Sequence, residues 1–155
     1  MFNFIPNRLA FIVLISACSI ILISMGLRQT FGLFFDAFEK GLGVSRTEFG
    51  LAIGIQMLFW GFFAPIFGLL ADKFGGNKAV FLGFLIFALG IFMLYSGPNT
   101  GIYFQLALGV LVGTALGATA IGVPVSEVGK HFPNEIRTIA TGVVTAAASI
   151  GYFLS

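Results

Sequence analysis

Arg28 is the residue whose type and place most need a chemical reason. It lies in an otherwise apolar stretch, about 20 residues beyond Arg8, or roughly 30 Å along a straight helix. An arginine at the centre of a bilayer costs about 2.5–3.5 kcal/mol on insertion scales, so a deep one faces a cavity or a partner. There its planar fork would hold a carboxylate through two parallel bonds. Near the edge of the hydrocarbon it would instead snorkel to the headgroups on its long stem. Ser24, one turn earlier on the same face, would extend a polar strip, whereas Gln29 points about 100° away. Gln56, in a second apolar stretch, offers an amide either to a solute path or to a neighbouring helix. Arg28, Ser24 and Gln56 are therefore the candidate substrate-binding residues. Gln105, Thr114 and Thr119 lend a later stretch some polarity of the kind that helix packing uses.

Other chemistry is poorly supplied. No nucleophile–base set, glycine-rich phosphate loop or cluster of acids appears, so an enzyme is not expected. One histidine and one cysteine cannot build a zinc site, and neither a metal nor another cofactor is implied. Cys18 sits in an apolar run and reads as a buried, inert thiol. His131 reads as an interfacial loop side chain. A net charge of +2 without a basic cluster excludes nucleic acid as a partner.

The elements that must position these residues follow from composition. Of the 155 residues, 58% are hydrophobic and only 9% charged, far below the roughly 25% charged residues of soluble domains. Mean hydropathy is +1.05. Residues 9–27, 49–71, 79–126 and 138–155 carry no charge. A spanning helix needs about 20 apolar residues, so the third run holds two, divided at Gly97-Pro98-Asn99-Thr100-Gly101. The fold class is an all-α polytopic membrane bundle with helices over 9–35, 48–71, 79–96, 101–128 and 137–154. Continuous rather than alternating apolar runs argue against a barrel. The stretch behind Met1 to Arg8 is long enough to span and has no small-residue cleavage site, unlike a secretory signal. With the N-terminus cytoplasmic, Arg8, Lys73, Lys78, Lys130 and Arg137 lie inside and only Lys40 and Arg46 outside, as basic residues favour.

Gly109, Gly113 and Gly117 recur at four-residue steps on the fourth helix, and Gly54, Gly61 and Gly68 at seven-residue steps on the second. Both rows are expected to let helix backbones approach closely. Pro65 and Pro124 are each expected to bend or weaken a helix.

The turn between the second and third helices reads Gly68-Leu69-Leu70-Ala71-Asp72-Lys73-Phe74-Gly75-Gly76-Asn77-Lys78. Gly75 and Gly76 permit reversal, and Lys73 and Lys78 suit the anionic inner leaflet. Asp72 lies at a helix C-terminus, where an acid opposes the helix dipole, so it needs a basic partner or another helix's N-terminus. Glu127, Lys130, Glu135 and Arg137 flank the other cytoplasmic loop. They form either a solvated loop or, through Glu127 or Arg137, a pairing with the Asp72 turn.

This turn resembles the signature of the major facilitator superfamily, Gly-x-Leu-Ala-Asp-Arg/Lys-x-Gly followed by a basic pair. Gly68, Leu70, Ala71, Asp72, Lys73 and Gly75 match it, and Lys78 alone supplies the later charge. The stretch from Gly26 to Phe35 is similar to the first helix of the monocarboxylate-transporter-like and oxalate/formate-antiporter-like branch. The stretch from Lys130 to Gly142 is similar to that branch's loop into helix five, with His131 and Thr138 departing from it.

The resemblance implies a secondary transporter of a small solute, an organic anion by the branch, working by alternating access in a cell membrane (plasma or inner). It implies that Asp72 contributes to charge contacts of the cytoplasmic gate. The membrane-embedded arginine that many proton-coupled members carry in helix four is absent from this sequence. The family has two six-helix halves, so five helices read as a truncated chain whose expected partners are the bilayer, the solute and its own missing C-terminal half. A non-transporting subunit that acts through oligomeric assembly is the alternative.

Overall fold

The computed structural model describes residues 7–98 and 100–154, all but a few of them helical. Met1 to Pro6, Asn99 of the expected turn and Ser155 lie outside the described residues. Helix α1 spans Arg8–Leu33 and opens on Asn7, whose Oδ1 accepts the Ala10 N–H at 2.7 Å. It stops before 35, and a separate helix α2, Phe35–Leu42, follows where a simple loop was expected. The pattern that makes α2 is short-range. Phe35, Phe38 and Leu42 turn inward, Asp36 and Lys40 suit its two dipole ends, and Gly43 closes it at φ 67°. Phe35 and Phe38 join Phe49 and Phe104 in an aromatic cluster with centroid spacings of 5.1–6.4 Å.

Helix α3, Arg46–Phe74, starts earlier than expected because Ser45 and Glu48 form a capping box. It runs unbroken through Pro65. Helix α4 spans Gly76–Ser96. Only Gly75 separates it from α3, at φ 94° and ψ 143°, a conformation that only glycine adopts readily. The fourth span is not the single helix that its composition suggested. It consists of α5 (Gly101–Phe104), a π-helical segment (Gln105–Val112), α6 (Gly113–Thr119) and α7 (Gly122–His131). The break has a local cause. Pro124 cannot donate to the Ala120 carbonyl and its ring crowds it, so the chain leaves helical geometry at Ala120 (ψ −98°) and restarts with proline in the first turn. Helix α8, Asn134–Leu154, completes five helical spans among the described residues, each long and apolar enough to cross a membrane.

The fourth span is the centre of the bundle. Of its apolar window 67% is buried, against 11–33% for the other four spans. Its π segment and α6 lie against α3 and α4, while α7 lies mainly against α1 and α8. The break at Ala120 is thus where the span passes from one helix pair to the other. Close approach depends on glycine. A Cβ on Gly109 would stand 3.1 Å from the Ala52 carbonyl oxygen, one on Gly113 2.7 Å from that of Gln56, and one on Gly117 2.9 Å from the Phe63 carbonyl carbon. Across the bundle, a Cβ on Gly151 of α8 would stand 2.6 Å from the Leu22 carbonyl oxygen of α1. The second glycine row behaves differently from expectation. Cβ atoms on Gly54, Gly61 and Gly68 would meet nothing within 4 Å. Equal spacing places residues on one face and says nothing of what that face meets. Large exposed side chains such as Leu58, Phe62, Leu69 and Tyr95 make the outer surface apolar, as a bilayer requires.

Candidate functional site

Arg28 lies on α1 and reaches across to α3. Its Nη2 donates to Met57 Sδ at 3.5 Å, and its Cζ stands 5.6 Å from the centroid of the Trp60 ring. Both partners are soft: a thioether is a weak acceptor, and the ring attracts the cation through its quadrupole. Among the described residues no carboxylate lies within ion-pair distance of Arg28. Its Nε is buried without a hydrogen-bond partner, and the same holds for Ser24 Oγ and Gln56 Oε1. The three candidate residues are therefore the three whose side chains hold unpartnered buried polar atoms among the described residues.

They are not equivalent. Gln56 is fully buried, and its Nε2 donates to the Leu108 carbonyl of the π segment at 3.3 Å. This bond ties α3 to the fourth span next to the Gly113 crossing, so one end of the amide is committed to packing. Thr119 bonds back to the Ala115 carbonyl at 3.1 Å and is buried in the same core. Ser24 lies one turn from Arg28, with 1% of its surface exposed. Lateral grooves of about 730 and 690 Å³ lie between α1 and α4, and neither is lined by Arg28, Ser24 or Gln56. Arg28 faces the other way, toward Met57 and Trp60 of α3, while Gln56 sits on α3 itself and turns to the fourth span.

The second constellation lies at the opposite end of α1, around the α3–α4 turn. Lys130 Nζ stands 2.9 Å from Asp72 Oδ1 and 2.7 Å from Glu127 Oε1. Asp72 thus receives the basic partner that its place at a helix C-terminus called for. The partner is Lys130, rather than Glu127 or Arg137, the residues singled out from the sequence. Glu127 joins through Lys130, and its side chain lies directly over Gly76 at the start of α4, where a Cβ would collide with it. Its carboxylate therefore stands by the positive end of the α4 dipole. Arg137 forms no ion pair among the described residues. Lys73 turns back over the Phe74 ring at 5.2 Å, and Lys78 is exposed. Gly68 contributes open space, while Gly75 supplies the one-residue reversal. His131 Nδ1 donates to the Glu127 carbonyl at 2.8 Å and closes the last turn of α7.

The Asp72–Lys130–Glu127 clasp is half in solvent, with side-chain exposures of 65%, 43% and 24%. Exposed pairs contribute about 0–1 kcal/mol. That is too little to hold five helices together, yet 1 kcal/mol shifts a two-state equilibrium about fivefold. Lys130 escaped the sequence reading because its distance along the chain from Asp72 gives no hint of their contact. Its one local signal was Glu127, three residues earlier on the same helix face.

Comparison with known proteins agrees with this architecture. A family model described as Major Facilitator Superfamily matches residues 13–155. An MFS-type transporter of Aspergillus fumigatus is 30% identical over 146 residues, covering 92% of this chain and 32% of that protein. The multi-drug resistance efflux pump PmrA of Streptococcus pneumoniae is 31% identical over 134 residues, covering 79% and 33%. The riboflavin transporter RibZ of Clostridioides difficile is 31% identical over 111 residues, covering 68% and 21%. The chain spans about a third or less of the length of these relatives. No solved structure matches.

Proposed function

This chain belongs to the major facilitator superfamily, and from that membership we propose that the complete protein carries a small organic anion across the membrane by alternating access, with Arg28 on the solute's path. The observation that carries the choice of an anion is the state of Arg28: a half-buried cation in an apolar helix, held by a thioether and an indole face, with no acid within ion-pair distance among the described residues. A charge in that position is stabilised most by a ligand that brings the opposite charge and two acceptors. Ser24 Oγ, buried and unpartnered one turn away, is available to the same ligand. The monocarboxylate-like choice among anions rests on the first-helix resemblance. The relatives' own names span drugs and riboflavin.

The clasp of Asp72, Lys130 and Glu127 acts as part of the gate. Leaving aside Arg28 within α1, Arg8, Lys73, Lys78, Lys130 and Arg137 belong to its end of the bundle and Lys40 and Arg46 to the other, a bias that favours a cytoplasmic clasp end. The solute crosses between this half and the remainder of the transporter, which supplies the other wall of the path. The membrane is the cell's own plasma or inner membrane.

The test is counterflow in proteoliposomes of the complete protein, with lactate, formate and oxalate as anions and glycerol as the neutral control. Uptake of at least one anion, and not of glycerol, is expected. Arg28→Lys keeps the charge and loses the planar fork, and a drop of tenfold or more is expected, since one charge-assisted bond is worth about 1.5–3 kcal/mol. Undiminished uptake by that variant would rule out a bidentate contact. Preference for neutral solutes would rule out the anion.

A further inference from the structure

We infer that Trp60 positions the Arg28 guanidinium so that the edge bearing Nε and Nη2 is presented to a carboxylate. The inference rests on the anion reading above and deepens it. Trp60 is half-buried against the main core, which restrains its ring. The guanidinium stands over that ring at 5.6 Å, inside the range of a cation–π contact. Met57, one turn before Trp60 on the same face of α3, takes Nη2 at 3.5 Å. On the Nε–Nη2 edge, Nε has no partner and Nη2 has only sulfur. That edge is the side-on fork that a carboxylate engages with two parallel bonds.

The choice of partners has a physical logic. A carboxylate at the position of Trp60 would orient Arg28 but would also neutralise it and compete with the ligand. An aliphatic side chain would leave the long stem free among its rotamers. An aromatic face restrains the cation through its quadrupole and leaves the net charge intact. The thioether, a weak acceptor, gives way to an incoming oxygen. Trp60 touches the solute's binding group rather than the reacting solute and is a positioning residue.

The test measures binding of sodium lactate and sodium oxalate to the complete protein in nanodiscs by calorimetry, together with KM and kcat for uptake. Trp60→Leu is expected to weaken binding about 2- to 30-fold and to raise KM with kcat nearly unchanged, the span of a cation–π contact from exposed to desolvated sites. Trp60→Phe keeps a π face and is expected to recover most of the loss. Equal affinity in wild type and Trp60→Leu overturns the inference and leaves the anion reading intact. Trp60→Phe as weak as Trp60→Leu also overturns it, since loss of packing would then explain both. Absence of saturable binding by wild type, or binding that survives Arg28→Ala, overturns the anion reading and this inference with it. Should Trp60→Leu fail to fold, indole emission decides. Trp60 is the only tryptophan of this chain, and wild type minus Trp60→Phe isolates its signal. Lactate is expected to shift that difference spectrum, and an unmoved spectrum overturns the inference.

Discussion

Substituting alanine at Gly113 tests the account of how the bundle closes. The new Cβ would stand 2.7 Å from the Gln56 carbonyl oxygen, 2.9 Å from Gln56 Cα and 3.0 Å from Phe59 Cβ. Two of these are backbone atoms of α3, which a rotamer change cannot move aside. Relief needs about half an ångström or more of separation between α3 and the fourth span. Overpacking of this kind costs about 1–3 kcal/mol. The same separation would stretch the Gln56–Leu108 bond, already 3.3 Å, beyond hydrogen-bond range. An interhelical bond in a membrane is worth about 0.6 kcal/mol on average and up to about 1.7. Against these, alanine gains up to about 1 kcal/mol of helix propensity over glycine. The net expectation is a loss of about 0.6–3.7 kcal/mol. The assay is unfolding in mixed micelles with increasing dodecyl sulfate, followed by circular dichroism. Gly61→Ala is the matched control, because its Cβ would meet nothing within 4 Å. It should be neutral or slightly stabilising. In a Gln56→Leu background, Gly113→Ala should cost less, because the bond it breaks is already gone. A Gly113→Ala variant as stable as Gly61→Ala would refute the close-crossing argument.

The clasp yields two further expectations. Lys130→Met severs both ion pairs, yet stability should fall by no more than about 1 kcal/mol, because the pairs are part-exposed. Uptake by the complete protein should change more, by about fivefold for a gate whose equilibrium moves by 1 kcal/mol. A loss of more than about 2 kcal/mol in the same micelle assay would show that the clasp holds the fold instead. Gly76→Ala pushes against the flexible Glu127 side chain, so the chain should fold while Glu127 swings off Lys130. Its effect on uptake should match that of Glu127→Gln and should not add to it. Additive losses would mean that Gly76 acts by another route.

Much of the architecture is legible in the residues because the bilayer makes one requirement dominate. Backbone groups in hydrocarbon must be satisfied within the segment, so charge-free runs of spanning length become helices, and five were readable from composition alone. The α3–α4 turn was readable for a related reason. Glycine at Gly75 meets a conformational demand, and an acid at a helix end needs a partner, whatever the rest of the chain does. The helix ends were less legible, since capping by Ser45 and Glu48 added turns that hydropathy does not register. The break at Ala120 and the π segment lie in a run whose hydropathy is uniform, and Pro124 alone announced one of them.

Partners were beyond local reading. The rows at Gly109 and Gly54 each keep to one helix face, yet one meets the backbone of α3 and the other meets nothing within 4 Å. Glu127 and Arg137 seemed equal candidates for the Asp72 turn, and Lys130 took the place of both. Arg28 was conspicuous from its position, but Met57 and Trp60 became its neighbours only when α1 was laid against α3. The sequence by itself determined a membrane bundle of five helices with a glycine-and-acid turn, because periodicity, hydropathy and capping act within a few residues. Tertiary structure alone decided which helix faces meet and which soft or charged group each polar side chain finds. Those pairings depend on distances between segments that are remote in the chain, and spacing along one segment carries no record of them.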